Sequence, residues 1–136
     1  MTNTEIIQSL YAKFGAGDVP GILELLSDDV AWEAWNDNWA QKAGVPSMQA
    51  RHGKAGVAEF FAVAGSMTIT DFQVLNLLAG GNDVAATIVI ESGLPGGGSY
   101  RDEEIHLWTL DDLGRVSRLR HYVDTAKQIA AWGRQK

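Results

Sequence analysis

The apolar residues of this chain change their spacing near residue 66, and that change limits the folds open to it. Before it, Ile6, Ile7, Leu10, Tyr11 and Phe14 fall at i, i+3, i+4 and i+7, the stripe of an amphipathic helix over residues 4–14. Asn3 or Thr4 is placed to cap that helix, and Gly15 and Gly17 to end it. Ile22, Leu25 and Leu26 mark a second, shorter helix with Asp18 as N-cap and Pro20 in its first turn, where a missing N–H costs nothing. Val57, Phe60, Phe61 and Ala64 mark a third over residues 54–64.

After it, the reading is strand. Segments 67–78 and 83–92 are rich in β-formers and meet at a Gly-Gly-Asn-Asp turn. Segments 101–110 and 115–123 form a hairpin around Asp111-Asp112-Leu113-Gly114, and residues 124–132 close the chain as a short helix. An earlier strand is expected where Val30, Trp32 and Ala34 alternate with Ala31, Glu33 and Trp35. Residues 36–52 have no clear period and read as a long loop, with room for one helical turn and of a kind often functional. Early helices and late strands predict one α+β domain over residues 1–136, an antiparallel sheet curled around helices.

Composition narrows the function. Acidic residues outnumber Lys and Arg, 17 to 11. Nucleic-acid binding needs the reverse, so no nucleic-acid partner is expected. No stretch approaches the roughly 18 uncharged apolar residues of a membrane helix, and the N-terminus has no export signal. The expected compartment is therefore the cytoplasm, with no membrane partner. The chain has no cysteine, which removes thiolate nucleophiles, thiolate metal sites and disulfides. Gly93 to Gly98 lacks the Lys-Ser/Thr ending of a phosphate loop, and Asp28-Asp29 reads as helix termination. No cofactor motif is present.

Three phrases, residues 11–29 (YAKFGAGDVPGILELLSDD), 52–61 (HGKAGVAEFF) and 114–124 (GRVSRLRHYVD), together with the element order, resemble the SnoaL-like branch of the nuclear transport factor 2-like superfamily. The resemblance implies a cone-shaped fold, a curved antiparallel sheet wrapped around N-terminal helices, with a pocket for a small apolar organic molecule. Relatives include ketosteroid isomerases, polyketide cyclases, epoxide hydrolases and dehydratases, so the fold leaves the reaction open. Matched to ketosteroid isomerases, the oxyanion-donating tyrosine falls on Leu10, the base aspartate on Ala34 and the second acid on His106. Leu10 and Ala34 carry no proton, so the Tyr/Asp pair of that mechanism is absent from these positions. The base position of cyclases and epoxide hydrolases falls near His121.

The hairpin supplies the candidates for chemistry. With a four-residue turn, Glu104 lies opposite His121, His106 opposite Leu119 and Trp108 opposite Ser117. One face then holds Asp102, Glu104, His106, Trp108, Leu119, His121 and Val123, the face the resemblance turns into the pocket. A one-residue slip would reverse the faces. A carboxylate beside imidazole raises its basicity, so a Glu104–His121 pair with His106 nearby points to proton transfer, hydration or ring closure. Here His121 is the general base, and His106 donates to a developing oxyanion. The alternative is a pocket that binds a small ligand without turnover, with Glu104 and His121 merely satisfying each other.

Trp32 and Ala34 are expected to line the pocket, with Trp35 at its mouth beside the 36–52 loop, which is placed to lid it. His52 reads as a surface residue. His106, His121, Glu104 and Asp102 are metal-ligand types but lack ligand spacing, so no metal site is expected. The opposite face, with Ile105, Leu107, Arg118, Arg120 and Tyr122, is mixed in character. With the resemblance, it suggests a homodimer or an accessory, protein-binding role.

Overall fold

The computed structural model describes residues 1–35 and 37–133. The chain opens with α1 (Asn3–Gly15) and α2 (Val19–Glu24), then runs into β1 (Leu26–Trp32). A cap follows, made of the single-turn α3 (Trp39–Lys42) and a 3-10 turn (Pro46–Met48), before the short β2 (Arg51–His52) and α4 (Gly53–Gly65). Four strands come next: β3 (Thr68–Gly80), β4 (Asp83–Gly93), β5 (Ser99–Leu110) and β6 (Val116–Tyr122). Helix α5 (Thr125–Trp132) is the last described element.

The local chemistry explains the helix starts. Thr2, rather than Asn3 or Thr4, caps α1. Its hydroxyl accepts from the Glu5 N–H at 3.1 Å while the Glu5 carboxylate takes the Thr2 N–H at 2.8 Å, a reciprocal capping box. Asp18 caps α2 through the Gly21 N–H at 3.0 Å, and Asp124 caps α5 through Lys127. The glycine-rich connection before β5 is drawn tight: a Cβ on Gly98 would stand 2.0 Å from the Ala131 carbonyl, so only glycine lets α5 pack there.

One six-stranded sheet, in the order β2-β1-β6-β5-β4-β3, curves without closing. All neighbours are antiparallel except β1 and β6, which run parallel. Its concave face holds the core: Ile7 and Leu10 of α1, Ile22 of α2 and Val57 of α4 pack on Trp32, Ile88, Trp108 and Leu119. Alternation is clearest on β4, where Val84, Ala86, Ile88 and Ile90 are buried in turn. A second apolar cluster joins the cap to the C-terminal helix, with Ala40, Val45 and Met48 against Leu94, Ala131 and Trp132.

The β5–β6 register differs from expectation by two residues. His106 faces His121 and Trp108 faces Leu119. The turn is one residue longer than a four-residue loop, because Leu110 pairs with Val116 rather than Arg115. Asp111 stabilises that turn by accepting the Leu113 and Arg115 N–H groups at 2.9 Å, and Gly114 takes a left-handed φ of 77°. A second residue is added by a bulge opposite the Thr109/Leu110 step, which leaves Ser117 unpaired. Either shift alone would have put His121 on the face opposite His106; the two together restore the shared inward face.

Candidate active site

Between the concave face of the sheet and helices α1 and α4 lies a cavity of about 90 Å³, several times what one water needs. Its walls are largely aromatic, with Phe60 and Phe61 from α4, Phe14 from α1 and Phe72 from β3. Ser47 and Met48 of the cap close one side. Among the expected site residues, Trp32, Glu104, His106, Trp108, Leu119, His121 and Val123 all line it. Three do not. Asp102 is buried beneath the start of α5, accepting the Asp124 N–H at 3.1 Å. Ala34 is exposed. Trp35 packs outside, its ring 4.9 Å from Tyr122 and under the Arg120 guanidinium.

Ala34 and Trp35 are displaced by one backbone event. Strand β1 ends at Trp32, and Glu33 takes a left-handed φ of 58°, a conformation that costs a non-glycine residue about 1–3 kcal/mol. The in/out alternation breaks there. Glu33, which would have pointed outward, turns in and is wholly buried, and Ala34 is turned out.

The Glu33 carboxylate is the partner of His121, replacing the Glu104–His121 pair expected from the hairpin. Glu33 Oε1 accepts the His121 backbone N–H at 2.7 Å and bonds His121 Nδ1, while Oε2 accepts the Trp35 indole N–H at 2.9 Å. Burial alone would lower the His121 pKa. The charge and hydrogen bond of Glu33 override it, with Glu104 adding to the effect, and hold the ring above its ordinary value. With Nδ1 engaged, Nε2 is the nitrogen left for the cavity.

His106 is held in the opposite state. Its Nδ1 lies 2.7 Å from the Tyr11 hydroxyl and its Nε2 3.3 Å from Glu104 Oε1. Trp108 Nε1 donates to the Tyr11 oxygen at 3.0 Å, so the Tyr11 proton points to His106 Nδ1 and the His106 proton sits on Nε2. Gln128 donates to the other Glu104 oxygen at 3.3 Å, which ends the chain. Burial, then the neighbouring His121, pushes the His106 pKa well down, so the ring is neutral. With both nitrogens committed, His106 has no free N–H for an oxyanion, a correction to the role expected of it. The two imidazoles meet edge to face with centroids 4.5 Å apart, one favouring its proton and the other refusing it. Burial raises the Tyr11 phenol, which keeps it a donor. Burial likewise raises Glu104, against the opposing charge of His121, and carries Asp102 to about 6.

The positions matched to the ketosteroid isomerase tyrosine and aspartate, Leu10 and Ala34, carry no proton, but their sequence neighbours do. Leu10 lines the cavity without a polar atom, but Tyr11 beside it brings a hydroxyl. Glu33, beside Ala34, brings a carboxylate, standing behind His121 rather than on the cavity wall. Each was legible in part: Tyr11 is the polar-tipped member of an apolar stripe and needs a partner, and Glu33 is an acid set among tryptophans. Among the described residues no group of three or more His, Asp or Glu is placed to hold a metal ion.

The profile of the SnoaL-like domain family matches residues 7–119, most of the chain. The chain belongs to the SnoaL-like family. This SnoaL-like domain overlays a nuclear transport factor 2-like protein of unknown function from Burkholderia pseudomallei at 22% identity and a TM-score of 0.78, covering 96% of this chain and 98% of that one. It overlays TerC, co-crystallised with polyporic acid, at 27% identity and 0.76, with the same coverage. Ketosteroid isomerase from Mycobacterium sp. follows at 22% identity and 0.66, covering 88% and 90%. At these identities the likeness to the first and third is one of fold. No curated protein matches the sequence. No helix among the described residues is long and apolar enough to cross a membrane.

Proposed function

We propose that this SnoaL-like domain is a cytoplasmic, cofactor-independent enzyme that moves a proton on a small apolar organic molecule, in a reaction of the isomerase, cyclase or hydrolase type. The observation that carries this is the buried Glu33 carboxylate on His121 Nδ1, which fixes the ring and leaves Nε2 toward an aromatic cavity. His121 Nε2 takes a proton from the substrate, and Glu33 balances the charge of the resulting imidazolium. Tyr11 turns its O–H from His106 toward the oxygen where negative charge develops, while the Trp108 N–H keeps hold of the phenol oxygen. The proton then returns from Nε2 to a second atom of the substrate. Trp32 Nε1 and Gln128 Oε1, on cavity-lining side chains, have no hydrogen-bond partner among the described residues, which supports a ligand with an acceptor and a donor on an apolar frame.

A second reading, a binding pocket without turnover, draws on the closed chain from Trp108 to Gln128, in which Tyr11, His106 and Glu104 already satisfy one another. Hydrogen–deuterium exchange at the α-carbons of small cyclic ketones in D2O, followed by NMR, separates the two. Catalysis requires protein-dependent exchange that falls about 10²–10⁴-fold in His121→Gln. Exchange no faster than in buffer, for ketones that do bind, leaves the binding reading.

A homodimer through the outer face belongs to the same proposal. Leu75 and Leu78 of β3, Ile105 of β5 and Tyr122 at the end of β6 are exposed apolar residues.

A further inference from the structure

The cap and the strained residue behind His121 are joined by one side chain. Gln41, on α3, donates from Nε2 to the Glu33 carbonyl at 2.8 Å and to the Met48 carbonyl at 3.1 Å. Met48 and its neighbour Ser47 wall the cavity, while Glu33 holds His121. The cap is braced around this point. Asn38 Oδ1 accepts the Gln41 N–H, Gln49 donates to the Gln41 and Val45 carbonyls, and Arg51 donates to those of Gln49 and Pro46. The Glu33 carbonyl is otherwise held by the Trp35 N–H at 2.9 Å, inside its own turn.

We propose that Gln41 is a positioning residue for the proton-carrying pair: its amide clamps the Glu33 carbonyl to the Met48 carbonyl, so that the closed cap and the engagement of Glu33 with His121 go together. A left-handed glutamate persists only where its surroundings hold it. Its carbonyl is the handle available from outside β1, and the cap supplies the hand. When the cap moves to admit a ligand past Ser47 and Met48, Gln41 leaves, Glu33 relaxes toward an ordinary backbone, and its carboxylate withdraws from His121. When the cap closes, the base is set. The inference rests on His121 as the proton carrier and assigns Gln41 no contact with substrate.

The test is ¹⁵N and ¹H NMR of the histidine rings in the full chain, with Gln41→Met, which keeps the length and loses the donor. His121 is faced by Glu33, Glu104 and His106, and only the first is tied to Gln41. In Gln41→Met the downfield proton of the carboxylate-bound imidazole is lost, and His121 titrates below its wild-type position, because burial is then opposed only by Glu104. Gln41→Lys, which restores a donor, recovers the signal. Should Gln41→Met not fold, Gln41→Glu, isosteric and without the donor, takes its place. A folded variant that keeps the wild-type His121 signal and titration while only losing thermal stability overturns the proposal. Glu33→Gln in parallel separates the two levels. If it too leaves His121 unchanged, the Glu33–His121 pair itself fails. If it shifts His121 and Gln41→Met does not, only the role of Gln41 fails.

Discussion

Glu33 and His121, 88 positions apart in the chain, share one buried carboxylate–imidazole contact in which Glu33 Oε1 receives both the ring Nδ1 and the backbone N–H of His121. A single oxygen thus fixes the strand and the ring together. Removing the charge while keeping the shape, in Glu33→Gln, takes away what raises His121. Proton abstraction from a ketone probe then falls about 10²–10⁴-fold, and the pH at which it rises moves down. In the wild type that rise lies above about pH 6.5, since neutral His121 is the base and its pKa is raised.

The two histidines place opposite demands on stability. His121, raised in the folded state, contributes stability that is complete below the unfolded value of about 6.5 and is lost as pH climbs through the raised one. His106, lowered, works the other way: below about 6.5 the unfolded chain takes a proton that the folded ring refuses, so stability falls with falling pH. In urea titrations, His106→Asn flattens the acid limb and leaves the alkaline limb, which Glu33→Gln removes.

Tyr11 links Trp108 and His106 through one hydroxyl. Tyr11→Phe orphans the Trp108 N–H and His106 Nδ1 in a buried site and destabilises by about 1–3 kcal/mol in urea unfolding. On a ketone probe it lowers kcat more than it raises KM, because the hydroxyl acts on charge formed in the transition state.

Asp102 stands outside the cavity and is held up to about 6 by burial, although the Asp124 N–H favours its charged form. Between 3.8 and about 6 the folded chain binds a proton that the unfolded chain has released, so this group withdraws stability as pH rises across that window. Asp102→Asn, whose amide oxygen still accepts the Asp124 N–H, therefore raises Tm at pH 7 by about 2–5 °C. The gain vanishes below pH 4 in a thermal scan.

Ser47 stands on the cap side of the cavity. A bulky apolar side chain there fills space without touching the polar chain. Ser47→Phe weakens binding of an apolar naphthalene fluorophore about tenfold or more and moves Tm by no more than about 2 °C. An unchanged affinity would mean that the fluorophore does not occupy the space beside Ser47.

The helices, the four late strands and the inward set on the hairpin were legible in the sequence because periodicity survives small errors of register. The two single-residue shifts at Asp111–Arg115 and Ser117 are invisible in the pattern, yet their sum preserves the face on which His106, Trp108, Leu119 and His121 lie. What was not legible was set by backbone. Strand alternation placed Ala34 inward and Glu33 outward, and one left-handed residue reversed both. Partner choice was lost for the same reason: the acid nearest His121 across the hairpin was reasoned to be Glu104, while the acid that reaches it comes from the end of β1, a strand parallel to β6. Periodicity reports faces; it carries no information on which strand end meets which.

The most direct measurement is a ¹⁵N NMR titration of the His106 and His121 rings from about pH 4.5 to 9, read against the free-imidazole value of about 6.5. The expected result is a split: His121 titrates above that value with its proton-bearing Nδ1 held to Glu33, and His106, held as the Nε2–H tautomer, titrates well below it. His106 and His121 titrating together near 6.5 would contradict it, and with it the assignment of His121 as the proton carrier of this cavity.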